Sequence, residues 1–302
     1  MMIPPSPDAG TIHDPFEGGP LPQDAVRLRS RFAASLALSL AVAACGGGGQ
    51  EAPAKPEHGP AAASAPAPPA PPAPPAPAPG AVAAAAGATG SSVVSGRALF
   101  DGTIPENPKF RMGADATCAK SHPGEMTKDE ILVGADRGLA NVFVWVKAGI
   151  TGSYPVPETP VVLDQKGCLY EPHVFGLQVG QPLELVNSDD TLHNVHALAE
   201  TNDAFNLGMP KKGMRVTRRF DRPEVMVKVK CDVHGWMASY AGVVSHPYFA
   251  VSARDGAFSI RNLPAGSYTL EAWHEKLGTQ TLSVTVGEKE TKSVGFTFRA
   301  GA

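Results

Sequence analysis

The chain reads as an all-β protein, and three stretches predict that class. Val225, Val227 and Val229 alternate with Met226, Lys228 and Lys230, the period of a strand with one buried face. Asp255-Gly256 stands between two alternating runs, a hairpin signature. Asn262-Leu263-Pro264-Ala265-Gly266 turns into Ser267-Tyr268-Thr269-Leu270-Glu271-Ala272-Trp273, a Pro/Gly turn feeding another strand.

In chain order, residues 1–25 are Pro-rich and acidic and fit no targeting signal. They are expected to be an extension of the gene model, with translation beginning at Val26. Residues 26–44 fit a signal peptide. Arg27, Arg29 and Arg31 are its positive start, and Phe32 to Ala44 is an apolar run too short to span a bilayer comfortably. The run ends in Val42-Ala43-Ala44-Cys45-Gly46, which resembles a bacterial lipoprotein cleavage box. That resemblance implies lipidation of Cys45 and attachment to the bacterial cell envelope, on the periplasmic or surface side of the outer membrane. A plain secretory signal with an incidental cysteine is the alternative. Residues 45–91 are expected to be a disordered Ala/Pro/Gly linker without the apolar pattern of a core. At ~3.1 Å per residue the whole linker would reach on the order of 100 Å.

Charge excludes one class of partner. Beyond residue 91 the chain carries 22 Lys+Arg against 23 Asp+Glu, so no global field for nucleic acid exists.

The chemistry concentrates in two short motifs, His193-Asn194-Val195-His196 and Cys231-Asp232-Val233-His234-Gly235-Trp236-Met237. His193, Cys231, His234 and Met237 offer two imidazoles, a thiolate and a thioether. That set suits one mononuclear copper with a trigonal His₂Cys plane and a weak axial Met. Cys231 continues the valine face, so its sulfur is expected to point inward. The turn at Asp232–Gly235 swings His234 and Met237 back toward it. His193 follows Leu183-Glu184-Leu185-Val186 and a turn at Asn187–Asp190. Taken singly, a buried Cys, a His or a Met is usually ordinary packing; the ordered combination on β-patterned flanks is what packing does not explain.

From about Pro160 to Tyr248 the chain resembles the cupredoxins, the amicyanin type most closely. The resemblance lies in Tyr170-Glu171-Pro172 through Val179-Gly180-Gln181, Leu192 to His196, Met209-Pro210-Lys211-Lys212, and the short spacing from Cys231 to Met237. It implies a Greek-key β-sandwich over 160–248 with His193, Cys231, His234 and Met237 as copper ligands. It also implies that Asn194 fastens the ligand loop, a supporting role. Gly235 departs from the pattern, since amicyanin-like loops carry proline there. His196 is a neighbour that could exchange roles with His193. The same resemblance implies that electrons leave through the solvent edge of His234. Its flanks Val233, Gly235 and Trp236 are apolar or small, which suits a contact patch for a redox protein partner. Lys211, Lys212, Arg215, Arg218, Arg219 and Arg222 could steer an acidic partner, or be solvated residues on an exposed strand.

The chain has 4 cysteines. With Cys45 lipidated and Cys231 on copper, Cys118 and Cys168 remain, and in an exported protein two such residues pair by default. The rival is a second metal site composed with His122 and His173.

The remaining strands, from Tyr248 to Phe298, resemble the carboxypeptidase-regulatory-like (transthyretin-like) β-sandwich in their Asp-Gly, Leu-Pro-x-Gly and Tyr-x-Leu elements. Two strands of that family are missing after Tyr248. Val94–Phe100 and Asn141–Val146 could supply them, so 92–159 and 249–302 are expected to form one discontinuous sandwich. The alternative is an enlarged cupredoxin with a β appendage.

Enzyme motifs are missing. His274-Glu275-Lys276-Leu277-Gly278 lacks the second His of a zinc-protease helix, and no nucleophile elbow, phosphate loop or haem-attachment motif occurs. The sequence therefore predicts a non-enzymatic copper protein that passes single electrons and takes no small-molecule substrate. A copper-delivery lipoprotein and a structural surface lipoprotein are the alternatives.

Overall fold

The computed structural model describes residues 90–300. Residues 1–25, the expected signal segment, Cys45 and nearly all of the Ala/Pro linker lie outside the described residues. The protein is all-β. In chain order the elements are β1 (Ser92–Asp101), β2 (Lys109–Arg111), α1 (Ala116–Ser121), β3 (Glu125–Thr127), β4 (Phe143–Ala148), β5 (Val161–Lys166) and β6 (Leu169–Glu171). Then come β7 (Val174–Gln178), β8 (Leu183–Asn187), β9 (His193–Leu198), β10 (Phe205–Met209), β11 (Arg215–Arg218) and β12 (Glu224–Lys230). The last are β13 (Ala238–Val244), β14 (Phe249–Val251), β15 (Ala257–Leu263), β16 (Gly266–His274), β17 (Gly278–Val286) and β18 (Thr291–Arg299). Among the described residues no helix is long and apolar enough to cross a membrane.

Two pairs of sheets each enclose a core. One pair is β10-β9-β12-β13-β7 and β11-β8-β5-β6. Its core includes Leu163, Leu177, Leu185, Val195, Val227 and Val229, with Cys231 and Met237 at one end. The other pair is β15-β1-β18 and β14-β4-β16-β17, around Phe100, Val144, Tyr248, Ile260, Leu270 and Phe298. Strands from before residue 160 and after residue 248 pair directly: β1 with β15 and β18, and β4 with β14 and β16.

The sheets join where two glycines face each other. Gly176 on β7 pairs with Gly242 on β13. A Cβ on Gly242 would lie 2.3 Å from the Phe143 ring, and one on Gly176 would lie 2.4 Å from the Phe249 ring. Glycine is required there by the close approach of the aromatic side chains. Phe143 is fully buried in the slot, with Val174 and Val244 beside it.

Two features depart from the expected organisation. The valine alternation of β12 is broken by a bulge between Val225 and Val227, where Met226 takes a φ of 68°. An extra residue re-aims the strand. Val225 consequently packs with the Phe143 cluster, while Val227 and Val229 enter the core below Cys231. The second departure is the segment between β1 and β4. Its β2–β3 hairpin and α1 leave the discontinuous sandwich, and Phe110, Met112, Cys118 and Met126 pack against Cys168, Leu169 and Trp236 of the other module.

Candidate metal centre

Strand direction brings the donors together. On β9, His193, Val195 and Ala197 face the core, while His196 is half-buried on the opposite face. On β12 the inward series Val227, Val229 ends at Cys231. The loop from Cys231 to Met237 then closes on itself. Cys231 N donates to Met237 O (3.3 Å) and Met237 N to His234 O (2.9 Å), and His234 N donates to Cys231 Sγ (3.4 Å). His193, Cys231, His234 and Met237 are each 0–2% exposed.

His193, Cys231 and His234 form a compact donor set, with ligand atoms within 4.8 Å of one another. His193 Nδ1 and His234 Nδ1 are 2.9 Å apart, and Cys231 Sγ is 3.9 Å from His234 Nδ1. Met237 is buried in the same core as Cys231. Each imidazole has a carboxylate on its far side: His193 Nε2 lies 3.0 Å from Asp189 Oδ2, and His234 Nε2 lies 3.3 Å from Asp115 Oδ2. A carboxylate accepts only, so both protons belong on Nε2. Both Nδ1 atoms then present bare lone pairs to each other in a buried site. A cation between them relieves that contact, and nitrogens 2.9 Å apart can both lie ~2.0 Å from a single ion. The donor set therefore fits a metal. Burial also holds His193 below its ordinary pKa, favouring the neutral imidazole that ligation needs.

Asn194 fastens the loop. Its Oδ1 accepts from Asp232 N (2.7 Å) and Val233 N (3.4 Å), while its Nδ2 donates to Asn206 Oδ1 (2.6 Å). Tyr170 donates its hydroxyl to Asn194 O at 2.5 Å. Burial, followed by the proximity of Cys231, raises the Tyr170 pKa, so the phenol remains a donor. His196 stands outside the donor set and pairs with Asp232 Oδ2 at 2.9 Å.

Cys118 and Cys168 are joined, with sulfurs 2.04 Å apart. His122 Nε2 contacts Gly167 O at 2.8 Å, and His173 sits between Ala238 O and Glu275. The four residues of the rival second site are thus otherwise engaged.

One expectation is corrected. The ring of His234 does not reach solvent: it is 2% exposed. Asp115 and the disulfide cover its Nε2 edge, with Cys118 Sγ 3.7 Å away. Trp236 lies over the ring at 5.0 Å between centroids. In turn Trp236 stacks on Phe110 at 5.9 Å and donates Nε1–H to Cys168 O at 3.0 Å. Val233 and Gly235 remain exposed and Trp236 is half-buried. A groove of about 460 Å³ beside the ligand loop is lined by Met126, Trp236, Met237, Lys228, Lys230 and Tyr240.

Asp115 and Asp189 escaped the sequence reading. Asp115 caps α1, its Oδ1 accepting from Thr117 N (2.8 Å) and Cys118 N (2.9 Å). The Cys118 N–H is the main cause of its pKa falling to about 2. Asp-Ala-Thr-Cys is a recognisable cap signal, but nothing in it says that the capped turn would sit on His234.

No sequence-family profile and no curated protein matches this chain. Among solved structures, it is similar to a copper-containing nitrite reductase from Thermus scotoductus SA-01, at 20% identity over 32% of this chain and 25% of that one, TM-score 0.28. The chain thus spans a quarter of that reductase. It is also similar to an oxidised variant of amicyanin, at 22% identity over 33% of this chain and 97% of that one, TM-score 0.26. A purple cupredoxin from Nitrosopumilus maritimus gives 19% identity over 28% of this chain and 97% of that one, TM-score 0.24. These structural neighbours are cupredoxins, alike over 28–33% of this chain.

Proposed function

We propose that this chain is an extracytoplasmic blue copper protein that carries single electrons between redox partners. The observation that carries this is the pair of buried imidazoles, each with a carboxylate at Nε2 and with Nδ1 atoms facing at 2.9 Å, beside a buried cysteine. His193 Nδ1, His234 Nδ1 and Cys231 Sγ would hold the ion, and the Met237 thioether would add a weak fourth donor. Copper held by such a set supplies one-electron chemistry, the soft sulfurs suiting Cu(I) and the imidazoles Cu(II). The chain's own part is to keep those donors still and dry. Asn194 pins the loop, the two carboxylates hold the rings, and burial excludes water.

Burial also favours retention over delivery, because a metal handed to a partner needs an open path to its donors. The Cys118–Cys168 disulfide suits an oxidising compartment, consistent with export and a lipid on Cys45. The discontinuous sandwich is assigned a structural, transthyretin-like role. Val233, Gly235 and Trp236 are the surface offered to a redox partner, with Trp236 in place of the covered His234 edge.

The test uses the full exported chain reconstituted with copper. One copper per chain and an intense thiolate-to-copper absorption are expected, and Cys231→Ser should abolish the colour. Met237→Leu should keep copper and raise the reduction potential, because Cu(II) would lose a weak thioether donor. Full occupancy without colour would reject a blue site. Absence of uptake would leave a structural lipoprotein, and a coloured site without electron exchange would point to delivery.

A further inference from the structure

The covered edge of His234 is built. Asp115 comes from the segment between β1 and β4, outside β9 and the β12–β13 loop, which carry the four candidate donors. Its Oδ1 is fixed by the backbone N–H groups of Thr117 and Cys118. Its Oδ2 takes the Thr191 hydroxyl at 2.8 Å and faces His234 Nε2 at 3.3 Å. Thr191 itself lies two residues before His193, so Asp115 ties the approach to one candidate ligand to the ring of another. The segment cannot drift, because Cys118 is bonded to Cys168, and Cys168 N donates to Asp189 Oδ2 at 2.7 Å. Phe110 on Trp236 holds the other end.

We infer that Asp115 is a positioning residue that fixes His234 and lowers the reduction potential of the metal it holds, and that the Cys118–Cys168 disulfide keeps Asp115 in place. This rests on the copper reading above. An anionic acceptor on Nε2–H fixes the tautomer, orients the ring and makes Nδ1 a stronger donor. A stronger donor stabilises Cu(II) more than Cu(I), so the oxidised state gains and the potential falls. The disulfide is no ligand; it acts through the carboxylate.

The experiment is a redox titration of the copper-loaded full chain, followed at the thiolate-to-copper band, for wild type, Asp115→Asn, Asp115→Glu and the Cys118→Ser/Cys168→Ser pair. Loss of such an outer partner weakens metal binding by roughly 10–100-fold. Asp115→Asn should show that loss mainly for Cu(II), each selective tenfold raising the potential by about 59 mV. Asp115→Glu should restore part of the shift. The serine pair should shift the potential the same way, and adding Asp115→Asn to it should change little further. A second readout needs no metal. ¹⁵N NMR of the metal-free chain should show His234 protonated at Nε2 in wild type, with its signals moved by Asp115→Asn. A wild-type band with an unchanged potential in Asp115→Asn overturns the inference, as does an Nδ1–H tautomer at His234. A wild type that takes up no copper overturns the copper reading instead, and the tautomer still decides whether Asp115 holds the ring.

Discussion

Both sandwiches bury histidines, but they treat the ring nitrogens differently. In the discontinuous sandwich, His246 Nε2 meets Val146 O at 2.8 Å and its Nδ1 accepts from Tyr248 N at 3.3 Å. His274 Nδ1 accepts from Lys276 N at 3.2 Å. Tautomer and partner agree there, and the rings brace the backbone. In the other sandwich, His193 and His234 have good acceptors on one nitrogen and each other's lone pair on the second. Burial alone therefore does not mark a functional histidine. A buried nitrogen aimed at another acceptor does, because leaving it so costs free energy unless a cation fills the gap.

Copper should separate the two classes most strongly. Free copper at a thousandfold above Kd stabilises the fold by about 4 kcal/mol. Chemical denaturation should show that gain in wild type and in His246→Phe, and its loss in His193→Phe and Cys231→Ser. A gain surviving in His193→Phe would break the distinction.

Acid should act next, and on the bracing histidines. Burial, opposed by Glu275, holds His274 at about 4 against an ordinary 6.5. Between those values the unfolded chain binds a proton that the folded chain refuses. Stability should therefore fall as pH drops below about 6.5, the loss being complete near 4 and amounting to about 3 kcal/mol. Metal-free protein melted across that range checks this, and His274→Phe should flatten the profile.

His246→Phe should cost about 1–3 kcal/mol in metal-free protein, since Val146 O loses a buried donor. His193→Phe should cost less, because it also removes a facing lone pair. Equal costs in denaturant melts would mean that the His193–His234 contact is as comfortable as the His246 bonds.

The smallest effect belongs to the basic strand. Arg215 pairs with Glu184 at 2.6 Å, Arg218 lies over Phe205 at 5.9 Å, and Arg219 donates to Gly180 O. Charge reversal at Arg218 should alter stability by no more than about 0.5 kcal/mol. Stopped-flow electron exchange with an acidic redox protein as the proposed kind of partner, across ionic strengths, would show whether it slows association.

The convergence of His193, Cys231 and His234 was legible in sequence because these side chains are chemically rare in combination and their positions are set by short-range β geometry. The continuation of Val227 and Val229 into Cys231 is such a case. The all-β class was legible for the same reason, through period-two runs and Gly turns. What sequence did not carry was long-range. Val225 looks like part of the inward face until the bulge at Met226 re-aims it. Asp115 looks like an ordinary cap, and only the path of the segment brings it to His234, 119 positions away. The buried edge of His234 has the same origin. Local pattern fixes which way a side chain points relative to its own strand, but not what another part of the chain lays on top.

The glycine pair at Gly176 and Gly242 has a consequence for anyone who would shorten this protein. The Phe143 ring fills the gap left by the missing β-carbons, so each sandwich is a mould of the other. Cutting the chain at 160 and 248 would give a fragment with an open notch in its five-stranded sheet and would strand an aromatic plug on the remainder. Neither piece is a ready-made minimal unit. Heating the intact protein should give one melting event, because the two modules share an interior and neither can loosen without the other feeling it.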